Sequence, residues 1–315
     1  MNAGTPLLMV GHGTKDPDGV RDFLALVDRT RARLAPAGRG PVETSGGFIE
    51  LSRPPLTDAV EALWSRGHRH LAAVPLVLVG AGHAKGDIPG AMTREMVRRP
   101  GLTYAYGRPL GPHPLLLDLV AERVDAALDG AARAGTTVLL VGRGSSDPDA
   151  NAEVAKTARL LWEGRGYDGV ETCFISMALP GVPHGLERAR LLGAHRVVVA
   201  PYFLFRGVLP DRVGAQALEW ASRHPGSDVR VAGVLGDCDA LAELVVVRYH
   251  EALRGDLRMN CDTCIYRSHM AGFDALVGAP QTPHDHPDDP SCGPANGYGH
   301  GHGHSLAAQG VHDAG

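Results

Sequence analysis

The sequence contains an internal repeat. Residues 7–18 read LLMVGHGTKDPD and residues 138–149 read VLLVGRGSSDPD, so the apolar run, both glycines and the Asp-Pro-Asp recur at an offset of 131. Farther along the offset becomes 126, where Phe-Ile at 48–49 aligns with Phe-Ile at 174–175. A repeat of this length indicates a tandem duplication, in which two copies of one structural unit share the chain.

Each half of the repeat alternates short apolar runs with helical periodicity, a pattern typical of βαβ units and a parallel sheet. Strands are predicted near 6–10, 42–49, 70–79 and 102–106 in the first half and near 137–141, 170–175, 196–203 and 229–234 in the second. A last helix is predicted over about 239–254. We therefore predict an α/β protein of two tandem domains. Each has a mostly parallel four-stranded sheet flanked by helices, and the two face each other across a cleft.

The chain of 315 residues is long enough for two such domains. The repeat predicts an N-terminal domain over residues 1–131 and a C-terminal domain over residues 132–258. From about residue 278 onward Pro, Gly, His and Asp dominate, a composition that does not build a core. Residues 259–315 are therefore predicted to be a Cys- and His-rich tail that is largely disordered.

Composition argues against several partners. The net charge of −4 provides no basic field that would recruit nucleic acid. The longest apolar stretch, Leu71–Val79, is too short to cross a bilayer, and residues 1–20 lack a signal pattern, so no membrane partner and a cytoplasmic location are predicted. The sequence has no Gly-x-x-x-x-Gly-Lys loop for ATP phosphates. It does not indicate an oligomeric state.

Three potential metal ligands follow predicted strands of the first half. His12 follows the first strand, Glu50 ends the second and His83 follows the third. The carboxyl ends of parallel strands share one edge of the sheet, where open α/β sheets bind ligands. Two imidazoles and a carboxylate suit Co(II), Ni(II), Fe(II) or Zn(II) and leave coordination positions open for a substrate.

The second half lacks all three ligands. The positions matching His12, Glu50 and His83 hold Arg143, Ser176 and Leu209, although the surrounding scaffold is retained. A single histidine or glutamate at a strand end is more often a solvated or capping residue than a ligand. Their loss as a set favours one shared site in the first half.

Three segments carry a resemblance to a known family: VGHG at 10–13, FIELSRPPL at 48–56 and PLVLVGAGHAKGDIP at 75–89. Through them, over about residues 5–258, the chain resembles the long form of the sirohydrochlorin cobaltochelatases. These are ATP-independent class II chelatases with iron- and nickel-inserting relatives. The resemblance implies insertion of Co²⁺ into sirohydrochlorin with release of two protons, in cobalamin biosynthesis. Thr14 stands where a serine is commoner, and the hydroxyl is kept.

The resemblance implies that His12, His83 and Glu50 are the metal and catalytic residues. A neutral imidazole accepts a proton near pH 7 and can also hold the metal before its transfer. We assign His12 as principal ligand and base, His83 as second ligand or proton shuttle, and Glu50 as the carboxylate that offsets the metal charge and accepts protons.

Four basic residues are candidates for contact with the carboxylates of sirohydrochlorin, because they lie on predicted loops of both halves. The alternative for each is a solvated surface charge. They are Arg53, Lys85, Arg143 and Arg206.

The tail contains a Met-x-Cys-x-x-Cys sequence at residues 259–264. The resemblance implies an iron–sulfur cluster there, but Cys261 and Cys264 cannot complete a four-thiolate cluster alone. Cys292 is a candidate third ligand, and a zinc or redox pair remains an alternative. Cys173 and Cys238 are interpreted as buried strand and loop thiols.

Three other functions stay open at this stage. The first is the same reaction with Fe²⁺, leading to siroheme, or with Ni²⁺, since ligand softness does not separate these ions. The second is a non-catalytic cobalt or nickel storage or delivery protein built around the histidines of the tail. The third is a hydrolytic zinc enzyme, which would need a site closed to planar ligands.

Overall fold

Two parallel sheets form the framework of the computed structural model, which describes residues 4–35, 42–255 and 274–278. The first half comprises β1 (Leu7–Gly11), α1 (Pro17–Arg33), β2 (Thr44–Phe48), α2 (Leu56–Trp64), β3 (His70–Pro75), a π-helical turn (His83–Asp87), α3 (Ile88–Arg98), β4 (Thr103–Tyr106) and α4 (Pro114–Leu128). The second half comprises β5 (Thr136–Gly142), α5 (Pro148–Trp162), β6 (Gly169–Phe174), α6 (Val182–Leu191), β7 (Arg196–Pro201), α7 (Val208–Ser222), β8 (Asp228–Val231) and α8 (Asp239–Arg254). A 3-10 turn at Asp274–Leu276 is the described part of the predicted tail.

The strand order is the same in both sheets: β2-β1-β3-β4 in the first and β6-β5-β7-β8 in the second. Every neighbouring pair is parallel, so the α/β fold class and the two tandem units are confirmed. The duplication in the sequence is therefore a duplication of one sheet topology.

The third strand is shorter than the prediction of 70–79, because it ends at Pro75. Beyond that proline the chain leaves the sheet. The carbonyls of Val77 and Leu78 accept hydrogen bonds from the amides of Leu110 and Gly111, at 2.9 and 3.1 Å, in place of a strand neighbour. The apolar run thus continues into a loop at the sheet edge, which apolar periodicity alone does not distinguish from a strand.

One hydrophobic cluster spans both halves. Alternate residues of β1, such as Leu7 and Met9, belong to the same buried cluster as Val138 and Leu140 of β5. Two helices also pack against the half to which they do not belong in sequence: α4 contacts β7, and α8 contacts β3 and α1. The inner faces of the two sheets therefore share a core, and the domain limit at residue 131 remains a prediction from the repeat.

The repeated Asp-Pro-Asp is explained by helix capping. Asp16 precedes α1 and its carboxylate accepts the Asp18 amide at 2.8 Å, whereas Asp147 precedes α5 and accepts the Asp149 amide at 3.0 Å. In both helices a proline occupies the first turn, where its missing N–H costs nothing. The motif therefore begins the helix that follows the loop after β1 in the first half and the loop after β5 in the second.

The last helix is attached to the first half by a buried charge cluster. Arg248 of α8 is fully buried and donates to the carbonyls of Pro109 and Leu110 at 2.8 and 2.6 Å. The Glu251 carboxylate accepts hydrogen bonds from both Arg248 and Arg108, and the two bonds from Arg108 measure 2.9 and 2.8 Å. This cluster holds the loop after β4 in place. The same loop forms the hydrogen bonds to the segment after β3 that are described above.

Across the residues that the structure describes, we find no helix of sufficient length and apolarity to span a membrane.

Candidate functional site

The loops after β1 and β2 place His12 and Glu50 side by side. Parallel pairing continues past the strands, because the Ile49 amide donates to the Gly11 carbonyl at 3.0 Å and the Glu50 amide to the His12 carbonyl at 3.1 Å. The second half repeats this pairing between Ser176 and the carbonyl of Arg143, at 3.0 Å. The scaffold of the site is thus present twice, with different side chains.

Gly13 makes this close pairing possible. Its φ is +113°, and a Cβ at this position would lie 1.9 Å from the Glu50 carbonyl oxygen. Gly144 matches it in the second half, with φ +87° and a Cβ that would lie 1.8 Å from the Ser176 carbonyl oxygen. These contacts exclude any side chain, so the second glycine of each Gly-x-Gly is required by the backbone.

His12 and Glu50 form a hydrogen-bonded pair. Their Nε2 and Oε1 atoms lie 2.7 Å apart, and the other ring nitrogen of His12 lies 3.1 Å from the Gly13 carbonyl oxygen. A ring nitrogen and a carboxylate oxygen this close need a hydrogen between them, so one proton lies between Nε2 and Oε1. A metal ion that binds this pair therefore has to replace one proton.

His83 lies against His12, with ring centroids 4.0 Å apart and ring planes at 78°. Its Nδ1 is 2.6 Å from Oδ2 of Asp87, and its Nε2 is 3.1 Å from Nη1 of Arg143. Arginine has only donors, so Nε2 accepts with its lone pair and the proton lies on Nδ1, directed at Asp87. Burial lowers the pKa of His83 below its ordinary value, and His12 and Arg143 add to this, while Asp87 opposes it.

Asp87 is a site residue that the sequence analysis missed. It is buried and ends the π-helical turn that His83 begins, four residues earlier. The Tyr106 hydroxyl donates to the Ala84 carbonyl at 2.9 Å and holds this turn against β4. π-Helical turns are frequent at functional sites, and a histidine that binds a metal usually directs its second nitrogen at a carboxylate. The His-x-x-x-Asp spacing after a strand was the available signal.

We expect Asp87→Asn to lower metal insertion by about ten- to a hundredfold, because the neutral amide no longer supports the basicity of the His83 imidazole. The measurement is the initial rate of metal insertion at saturating metal. Asp58→Asn, at an exposed position in the first turn of α2, is the matched control and should keep the wild-type rate. An Asp87→Asn rate within a factor of two of the control would contradict this role.

Of the four predicted substrate-contacting cations, the structure brings Arg143 to the three candidate ligands. The residue as a whole is exposed, but neighbouring protein takes water from its guanidinium and lowers the pKa of this group below its ordinary value, and the charge of Glu50 offsets only part of this. Arg53 is also exposed and follows Glu50 by three residues. We call the place where Arg143 of the second half meets His12, Glu50 and His83 of the first half the crevice.

Lys85 and Arg206 are engaged elsewhere. The Lys85 ammonium, nearly buried, bonds to Asp147 and Asp149 at 2.7 and 2.9 Å. Burial alone would lower the pKa of Lys85, but these two carboxylates raise it above its ordinary value. Arg206 bonds to carboxylates of α1, at 2.7 Å from Asp22. Both contacts join one half to the other, which weighs against the predicted role of these cations in binding substrate carboxylates.

The metal-ligand assignment of His12, Glu50 and His83 remains a prediction. Within residues 4–35, 42–255 and 274–278, no three His, Cys, Asp or Glu side chains are already arranged around a common metal position. The reason lies in the hydrogen bonds above: His12 and Glu50 point at each other, and His83 points at Arg143. Metal binding at this cluster requires these bonds to be exchanged.

Two of the five cysteines lie within the described residues. Cys173 is buried in β6, as predicted, and burial raises the pKa of its thiol to about 12. Cys238, half-buried, precedes α8. The predicted cluster ligands Cys261, Cys264 and Cys292 lie outside the described residues, and the comparisons below add no support for an iron–sulfur cluster.

The facing sheets define the fold of the two-lobed chelatases. The structure matches SirB from Bacillus subtilis with Fe³⁺ at a TM-score of 0.69 and 28% identity, over 80% of this chain and 96% of that one. It matches the sirohydrochlorin chelatase SirB from Bacillus subtilis subspecies spizizenii in complex with cobalt at 0.64 and 25%, with the same coverage.

The chain belongs to the CbiX family, whose signature it matches over residues 6–127 and 137–252. A sirohydrochlorin cobaltochelatase of Priestia megaterium is 36% identical over 266 residues, 83% of this chain and 84% of the relative. A sirohydrochlorin ferrochelatase of the same organism is 32% identical over 240 residues, 76% and 87% of the two chains. The two matched segments correspond to the two halves of the duplication.

Proposed function

We propose that this protein is a sirohydrochlorin chelatase that inserts Co²⁺ into the tetrapyrrole without ATP. The observation that supports it is the cluster of His12, Glu50 and His83 at one sheet edge, opposite an arginine of the second half. The family and its sirohydrochlorin-metallating relatives support the substrate.

The cluster fits the chemistry of metallation, which delivers a partly desolvated cation and removes two pyrrole N–H protons. The cation binds the His12–Glu50 pair and releases the proton that the pair shares. Glu50 offsets the charge of the cation, and Nε2 of neutral His83 supplies a second nitrogen. When the metal passes to the ring, the freed imidazole and carboxylate accept the pyrrole protons.

The choice of Co²⁺ over Fe²⁺ or Ni²⁺ is supported by the higher identity to the cobaltochelatase relative, 36% against 32%. Imidazole and carboxylate ligands suit all three ions, so supply and geometry decide among them. Insertion of Fe²⁺, as named for the ferrochelatase relative, is the second candidate.

The test is the visible absorbance of sirohydrochlorin, followed with Co²⁺, Fe²⁺ or Ni²⁺ in the presence and absence of the protein. We expect a protein-dependent rate that is highest with Co²⁺ at equal free metal. A higher rate with Fe²⁺ would move the assignment to siroheme formation, and rates equal to the protein-free reaction with all three ions would overturn a chelatase.

Deletion of residues 278–315 distinguishes the storage alternative, because this segment contains histidines at 284, 286, 300, 302, 304 and 312. A chelatase should keep its turnover at saturating Co²⁺ without this segment, whereas a storage protein should lose its metal capacity and show no turnover in either form.

A further inference from the structure

The second half contributes one cation to the crevice at the position that matches His12 in the repeat. Arg143 extends from the loop after β5 and places Nη1 3.1 Å from Nε2 of His83. We propose that Arg143 is a gate: it holds Nε2 of His83 in the metal-free protein and leaves it for a carboxylate of the tetrapyrrole, so that the tetrapyrrole binds before the metal. This inference rests on the proposed function for the identity of the tetrapyrrole.

The contact blocks the atom that a metal would use. Nδ1 of His83 donates to Asp87, so Nε2 has the lone pair of the ring. That lone pair is occupied by the N–H of Arg143. A metal ion and Arg143 therefore compete for the same nitrogen.

The charge of Arg143 adds a second barrier. The guanidinium stays protonated at any physiological pH and lies close enough to Glu50 and His83 to interact with both. It balances part of the Glu50 charge and repels an approaching divalent cation. Without a substrate, the crevice thus resists being filled by metal.

A carboxylate is the ligand that would draw Arg143 away. The hydrogen bond to His83 has a neutral acceptor, whereas Lys85 and Arg206 are each held by two carboxylates. Charge-assisted bonds are about twice as strong as neutral ones, and a guanidinium binds a carboxylate through two parallel bonds. Arg143 is exposed at the crevice, so exchange needs a rotation of one side chain.

The first experiment measures Co²⁺ binding alone, by equilibrium dialysis of full-length protein. Wild type, Arg143→Met, His83→Ala and the double variant are compared, so tail histidines contribute equally to all four. We expect Arg143→Met to bind Co²⁺ at the site that includes His83 with a dissociation constant at least about tenfold lower than that of wild type. The gain should vanish in the double variant. Equal or weaker binding by Arg143→Met, or a gain that survives in the double variant, overturns the gate.

The second experiment is steady-state kinetics with sirohydrochlorin and Co²⁺. Arg143→Met should lower the KM for Co²⁺ and raise the KM for the tetrapyrrole, opposite shifts that a merely disturbed fold does not produce. Arg143→Lys, which keeps the charge, should return both values toward wild type. Two KM values that move in the same direction overturn the gate. Absence of turnover in wild type would reject the proposed function and leave the dialysis result standing.

Discussion

Replacement of His12 by alanine is expected to lower the rate of metal insertion at least about a hundredfold at saturating metal. The substitution removes the nitrogen that shares a proton with Glu50 at 2.7 Å, so the crevice loses a ligand and a base together. The fold should survive, because His12 lies on a loop past the end of β1 and is partly open to solvent. The measurements are the initial rate by absorbance and the unfolding midpoint.

His195→Ala is the matched control for this variant, since His195 is exposed on the loop before β7, outside the crevice. It should keep the wild-type rate. A His12→Ala protein that turned over within about threefold of this control would reject the three-residue site. A His12→Ala protein that lost its thermal transition would show that the pair with Glu50 is structural, and His83→Ala would then test the site.

The sequence was sufficient to predict that His12, Glu50 and His83 lie together. The reason is geometric, because residues at the carboxyl ends of adjacent parallel strands must share one edge. The repeat added an internal comparison, in which Arg143 and Ser176 stand where His12 and Glu50 do. Parallel pairing followed from the alternation of strands and helices, and the structure confirms it. The order of the strands in each sheet was not predicted and is known from the structure alone.

Other features could not be predicted from these patterns. Asp87 reaches His83 only because a π-helical turn precedes α3, and apolar periodicity carries no sign of that turn. The packing of α4 and α8 against the opposite half could not be predicted either. An apolar stripe shows that a helix packs against a core, but it does not show against which sheet. The ion pairs that Lys85 makes with the cap residue Asp147 and with Asp149 of the other half were likewise not predicted, and its contact with substrate stays a prediction.

The attachment of α8 to the first half predicts a large effect on the stability of the protein. Glu251→Ala is expected to destabilise the protein by about 3–5 kcal/mol, because fully buried Arg248 and partly buried Arg108 would lose their carboxylate. The measurement is urea unfolding at pH 7. Glu243→Ala is the control: its pair with Arg33 is exposed and should contribute less than about 1 kcal/mol.

The same carboxylate predicts a pH dependence. The hydrogen bonds of Arg108, opposed by burial and helped by Arg248, lower the pKa of Glu251 from 4.5 to about 2. A depressed pKa stabilises the fold at every pH above the unfolded value of 4.5, and this stability is lost as pH falls from 4.5 through about 2. The difference in unfolding free energy between wild type and Glu251→Ala should therefore be constant from pH 7 to pH 5 and shrink below it. A difference that stayed constant down to pH 3 would mean that Glu251 acts through its methylene packing and not through its charge.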